Sequence, residues 1–253
     1  MMKYLSAIVA LITLPACERP TDSNDNLQII SNNDTLYAMH ATKYTWPPYQ
    51  QGTMIANNIL AKNYYLVIDG SGSMDEVNCS EGLLKIDVAK TAVQQFVNQI
   101  PADANVGLLT FDIDGIVPKV VLGLNREQIL RDVADMQTGG GTPLRTAIKD
   151  AYSSLTLQSQ TQLGYGEYHL VIVTDGEASP GEDPSSVVKE ILANSPVILH
   201  TIGFCIGEGH SLNLHGKTDY RAANNPEELR QGLADVLAEA NDFTMDKFNQ
   251  EAK

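Results

Sequence analysis

Positive charge is scarce in this sequence. Only 17 Lys and Arg stand against 31 Asp and Glu, giving a formal net charge of −14. A body this acidic is repelled by phosphate backbones, so nucleic acid is not an expected partner. Long apolar runs are missing as well. The N-terminal stretch from Leu5 to Leu14 falls short of the roughly 20 residues needed to cross a bilayer, which argues against a transmembrane helix. Several catalytic signatures are also absent. No Lys follows the glycines of "VIDGSGSM" (Val67 to Met74), as a Walker phosphate loop requires, and there is no Gly-x-Ser-x-Gly or His-Glu-x-x-His stretch. Tryptophan occurs once, in "TKYTWPPYQ" (Thr42 to Gln50), where it is flanked by Tyr44 and Tyr49. These aromatics are expected to pack on the flank of a domain. Of 253 residues 43% are hydrophobic and 19% charged, which suits one globular α/β domain with an appendage.

The N-terminus has the form of an export signal: Lys3, a short apolar core, a small residue and Cys17. Leu14-Pro15-Ala16-Cys17 resembles a bacterial lipobox, with Pro15 a departure from its usual pattern. The expectation is a signal peptide over 1–16, lipidation at Cys17, and a membrane tether. An ordinary secretory signal is the competing reading. By analogy with such lipoproteins, the absence of Asp at position 18, which is Glu18, implies the outer membrane or periplasm if the cell is Gram-negative. A tether and lead-in, rich in Asn, Asp, Thr, Gln and Pro, fill 17–62. The main domain is expected over 63–242, with a C-terminal tail over 243–253.

Within that domain, apolar runs alternate with helical patterns. Strands are expected at Tyr64 to Asp69, Ala104 to Asp112, Gly115 to Leu124, Tyr168 to Gly176 and Val197 to Phe204. Helices are expected along Ile86 to Ile100, Arg126 to Met136, after Pro143, after Asp183-Pro184, and after Asn225-Pro226. This alternation means a doubly wound, mostly parallel α/β sheet with helices on both faces. The tight Ile113-Asp114-Gly115 link adds one antiparallel edge strand.

In such sheets, ligands bind beyond the carboxyl ends of the strands. Three polar loops fall there: Asp69-Gly70-Ser71-Gly72-Ser73, Thr138-Gly139-Gly140-Gly141-Thr142-Pro143, and Thr174-Asp175-Gly176. Each alone has a plain explanation as a turn. Together, the carboxylates of Asp69 and Asp175 and the hydroxyls of Ser71, Ser73 and Thr142 form an all-oxygen set. Such a set suits a hard divalent cation. Three of the five donors are neutral, so the ion's charge is incompletely cancelled and an outside carboxylate remains attracted to it.

These motifs resemble the von Willebrand factor A domain family, over roughly Tyr64 to Ala240. Asp69-x-Ser71-x-Ser73, Thr142 in Gly-Gly-Thr-Pro, and Asp175 in Thr-Asp-Gly look like that family's complete metal-ion-dependent adhesion site. The resemblance implies a Rossmann-like fold and Mg2+ (or Mn2+ or Ca2+). It also implies that the serines and Thr142 act at or near first hand, with Asp69 and Asp175 often acting through water. It further implies a non-enzymatic module that binds an acidic group on a protein partner, for adhesion or complex assembly.

Two other readings remain open at this point. A haloacid dehalogenase-like phosphatase also places an Asp after its first strand, with a hydroxyl such as Thr110 later. That family normally has a second Asp where this chain has Ser71. Alternatively, the metal is purely structural. Asp75 and Glu76 either hold a second ion or face solvent. Cys205, His210 and His215 are evenly spaced but lack the partners of a zinc site, and His40, His169 and His200 form no cluster in the sequence. Export makes a Cys79–Cys205 disulfide an expectation, with two free thiols as the alternative.

Overall fold

The order of elements follows from where apolar residues alternate and where they recur at helical spacing. The computed structural model describes residues 46–48 and 50–241, with side chains through residue 238. The expected signal, Cys17, Tyr44, Tyr49 and the tail over 243–253 lie outside the described residues. Strand β1 spans Lys62–Asp69 and leads through a single 3-10 turn, Gly72–Asp75, to helix α1, Lys85–Gln99. Strands β2 (Asn105–Asp112) and β3 (Gly115–Gly123) follow, then α2 (Arg126–Asp135) and α3 (Leu144–Thr161). The second half comprises β4 (Glu167–Thr174), α4 (Ser185–Asn194), β5 (Ile198–Phe204), β6 (Asp219–Ala223) and α5 (Pro226–Asn241).

The six strands form one sheet in the order β3-β2-β1-β4-β5-β6. All pairings are parallel except β2 with β3, the antiparallel edge expected from the Asp112–Gly115 link. Alternation along β1 explains the two cores. Tyr64, Leu66 and Ile68 face α1, α2 and α5, burying Val93, Phe96, Ile129 and Leu233 beside them. Tyr65 and Val67 face α3 and α4, against Leu144, Ile148 and Val188. With both faces covered, β1 and β4 read as continuous apolar runs, the pattern that parallel sheets impose.

Helix α5 begins as its sequence indicates. The Asn225 side chain accepts from the Glu228 amide at 2.9 Å and donates back to the Glu228 carboxylate at 2.8 Å, a reciprocal cap. Trp46 lies on the flank, edge-on to Tyr168 at 4.8 Å, and its indole N–H donates to Thr156 at 3.2 Å. Strand β6 was not expected: its residues are half-buried except for Ala223, and an edge strand of mixed polarity leaves no period-2 pattern to read. His169 and His200 differ from the sequence reading too. The β4–β5 register brings His169 Nδ1 within 3.0 Å of His200 Nε2 at the amino ends of the strands, far along the sheet from the polar loops.

In this order the chain direction of sheet growth reverses between β1 and β4. Beyond the carboxyl ends of those two neighbours lies the crevice where loops diverge to opposite faces. Asp69 ends β1, and Asp175 immediately follows β4.

Candidate metal centre

The first loop is shaped by its own aspartate. The Asp69 carboxylate is buried with no exposure, and its Oδ1 accepts from the Ser71 amide at 2.7 Å. Its Oδ2 accepts from the Thr174 hydroxyl on β4 at 2.6 Å. That grip folds the loop so that the Ser71 and Ser73 hydroxyls stand 3.1 Å apart. Ser73 Oγ in turn donates to Asp175 Oδ1 at 2.7 Å, joining the first loop to the third.

Backbone bonds hold the second loop against the first. Gly72 N–H donates to Gly140 O at 3.2 Å, and Gly139 N–H to Gly70 O at 2.9 Å. The glycines are needed for clearance. A Cβ on Gly70 would sit 2.9 Å from Asp112 Cβ, and Gly140 combines a φ of +75° with 3.2 Å to the Asp112 carbonyl. Thr142 is anchored by Ser179, whose hydroxyl accepts from its amide at 2.9 Å and whose amide donates to its carbonyl at 3.0 Å. The result is convergence. Ser73 Oγ and Thr142 Oγ1 lie 3.6 and 3.7 Å from the point where a side chain on Gly176 would begin.

Electrostatics set the two carboxylates apart. Burial pushes Asp69 up to about 6; bonds from Ser71 and Thr174 partly offset this, and neighbouring Asp175 adds to it. None of the ion pairs among the described residues reaches Asp69. Asp175 has a cation of its own: Lys85 Nζ donates to Oδ2 at 2.9 Å and to Glu76 Oε2 at 3.0 Å. Burial alone would lower the Lys85 pKa, but the bonds to Asp175 and Glu76 outweigh it and hold the ammonium above its ordinary value.

The donor chemistry fits a hard divalent ion. A buried carboxylate without a cationic partner, a second carboxylate and converging hydroxyls are oxygen donors throughout. Among the described residues no three His, Cys, Asp or Glu side chains group as a metal cluster, in keeping with a set that contains only two such residues. The evenly spaced Cys205, His210 and His215 do not act together. His210 Nε2 is engaged with Gly176 O at 3.0 Å, and Cys205 is in a disulfide with Cys79, their Cα atoms 6.1 Å apart. Thr110 donates to Asp112 at 3.3 Å, and Asp75 accepts from Thr138 at 3.4 Å.

Three contributors were missed in the sequence reading. Thr174 was seen only as part of Thr-Asp-Gly, Ser179 carried no motif, and Lys85 precedes the helical stripe that begins at Ile86. No local pattern marks a lysine at a helix start for burial.

A family model described as the von Willebrand factor type A domain matches residues 63–252. The chain belongs to that family. This VWA domain is 28% identical over 189 residues to uncharacterized protein YwmD of Bacillus subtilis (strain 168), covering 67% of this chain and 82% of that one. Uncharacterized protein YwmC of the same organism is 25% identical over 167 residues, covering 60% and 70%. Among solved structures, the pilus adhesin SpaC from Lactobacillus rhamnosus GG superposes with a TM-score of 0.56 at 16% identity. That match covers 74% of this chain and only 31% of SpaC. The vWF domain of the type V pili tip protein Mfa5 from Porphyromonas gingivalis gives 0.55 at 12% identity, covering 72% and 95%. At these identities the structural likeness speaks for the VWA fold alone. No helix among the described residues is long and apolar enough to cross a membrane.

Proposed function

We propose that this VWA domain is an exported, membrane-tethered binding module, anchored by a lipid at Cys17. It holds Mg2+ (or Mn2+ or Ca2+) through Asp69, Ser71, Ser73, Thr142 and Asp175. When bound, the ion offers an open position to a carboxylate on a protein partner. The observation that carries this reading is the convergence of Ser73 Oγ and Thr142 Oγ1 beside Gly176, with Asp175 bonded to Ser73 and Asp69 behind. The chain's own residues divide the work. Asp69 shapes the first loop and supplies unpaired negative charge, the hydroxyls present neutral oxygens, and Gly176 leaves the approach open.

The occurrence of the same fold in a pilus adhesin and a pilus tip protein supports an adhesive or assembly role. Burial of Asp69 with both oxygens engaged speaks against its use as a phosphatase nucleophile, which must reach its substrate in line. Calorimetric titration of the domain with Mg2+ tests the metal. Capture of a partner from envelope extracts, with and without chelator, tests the bridge. Binding of a partner that survives both chelator and Asp175→Ala would sink the bridging reading.

A further inference from the structure

We infer that Lys85 is a positioning residue of the candidate metal centre: a built-in cation that occupies one oxygen of Asp175, aims the other at the hydroxyls, and weakens the hold on the metal. This rests on the divalent-cation reading above. Lys85 begins α1 and is 2% exposed, which is unusual for a lysine. Its ammonium does not turn back to water. It ends between Asp175 Oδ2 at 2.9 Å and Glu76 Oε2 at 3.0 Å.

The geometry of Asp175 gives the consequence. With Oδ2 taken by Lys85, only Oδ1 faces the first loop, where Ser73 Oγ meets it at 2.7 Å. A carboxylate held at both ends cannot rotate to chelate an ion with both oxygens, so it offers one oxygen in one direction. The ammonium also cancels the charge of Asp175 at close range. The Asp175 side chain has no exposure to solvent, so little screening intervenes. A divalent ion beside this pair therefore meets less negative charge than two free carboxylates would supply. It binds less tightly and keeps more of its own charge for an incoming anion. Glu76 is the counterweight. Its side chain is 59% exposed, and it shares the ammonium with Asp175.

The test uses charge sign, which a purely structural role for Lys85 would not follow. Mg2+ affinity is measured by calorimetry, and by the rise of Tm with Mg2+, on the full chain and on two variants. Lys85→Met should lower Tm without metal yet bind Mg2+ about tenfold tighter. Glu76→Gln should bind Mg2+ weaker, by about threefold, because it removes negative charge and leaves Lys85 wholly to Asp175. Unchanged or weaker Mg2+ binding by Lys85→Met, with the protein folded, overturns the inference. If Lys85→Met does not fold, Glu76→Gln decides, and unchanged or tighter binding there overturns it. Absence of Mg2+ binding by the unaltered protein overturns both this inference and the metal reading. Binding that is present but insensitive to both variants overturns the inference alone.

Discussion

Lys85 and Asp175 meet at 2.9 Å with their side chains 3% and 0% exposed, although 90 residues separate them in the chain. A pair so withdrawn from water is costly to break from one side, because the surviving ammonium stays buried with only the exposed Glu76 as its partner. Asp175→Asn should therefore destabilise the metal-free protein by about 3 kcal/mol, read by urea unfolding. Adding Lys85→Met to Asp175→Asn should recover part of the loss, with a coupling of about 1–3 kcal/mol in the double-mutant cycle. Additive losses would mean that the contact carries no energy of its own.

The hydroxyls should behave differently from the carboxylates. Ser73→Ala and Thr142→Ala each remove a neutral oxygen from the convergence beside Gly176. Each should weaken Mg2+ binding about tenfold while changing metal-free stability by no more than about 1 kcal/mol. Calorimetry and unfolding together separate the two effects. A loss of stability without a loss of affinity would assign these residues to the loop scaffold alone.

The Cys79–Cys205 bridge closes a loop with a sequence separation of 126 and ties the segment after the 3-10 turn to the end of β5. Constraining that much chain in the unfolded state is worth about 4–5 kcal/mol on the chain-entropy account. The Cys79→Ser, Cys205→Ser double variant should lose stability of that order in urea unfolding. A loss below about 1 kcal/mol would show that the bridge adds little beyond existing packing.

Acid should loosen the opposite end of the sheet. His169 Nε2 lies 2.7 Å from Glu167, its Nδ1 3.0 Å from His200, and His200 Nδ1 2.8 Å from Asp219. Lys62, Tyr64 and Arg221 also face this chain. Burial, first among the causes, holds the His169 pKa below its ordinary value of 6.5. The unfolded chain therefore takes up this proton first as pH falls. The stability His169 contributes is whole above 6.5 and is lost as pH drops through and below that value. Glu167 and Asp219 are also lowered: burial would raise both, but the bonds from His169 and from His200 and Arg221 outweigh it. Their share is lost at still lower pH. Urea midpoints measured between about pH 6 and 5 should fall for the native protein and fall less for His169→Gln. Equal slopes would remove His169 from the acid response.

Much of the architecture was legible because parallel strands buried on both faces announce themselves. "YYLVID" and "YHLVIVTDG" need no tertiary information to be read as central strands, and the Asn225-Pro226-Glu227-Glu228 start of α5 follows from capping chemistry. β6 was not legible. Asp219, Tyr220 and Arg221 become a strand only because β5 offers them an edge, and their side chains are half-buried. His169 and His200 are likewise silent in the sequence, since their meeting depends on strand register.

For the candidate site the division is sharper. Residue types and order by themselves placed a set of oxygen donors at strand ends, because strand–helix alternation puts all three polar loops at the carboxyl side of one parallel sheet. Only the tertiary structure decided which donors face one another, which carboxylate stands without a cation, and that Asp175 already has one in Lys85. The reason is physical. Hydrophobic periodicity and turn chemistry are local properties of a chain, whereas an ion pair between residues 85 and 175 exists only where packing brings a helix start against a strand end and excludes water from both.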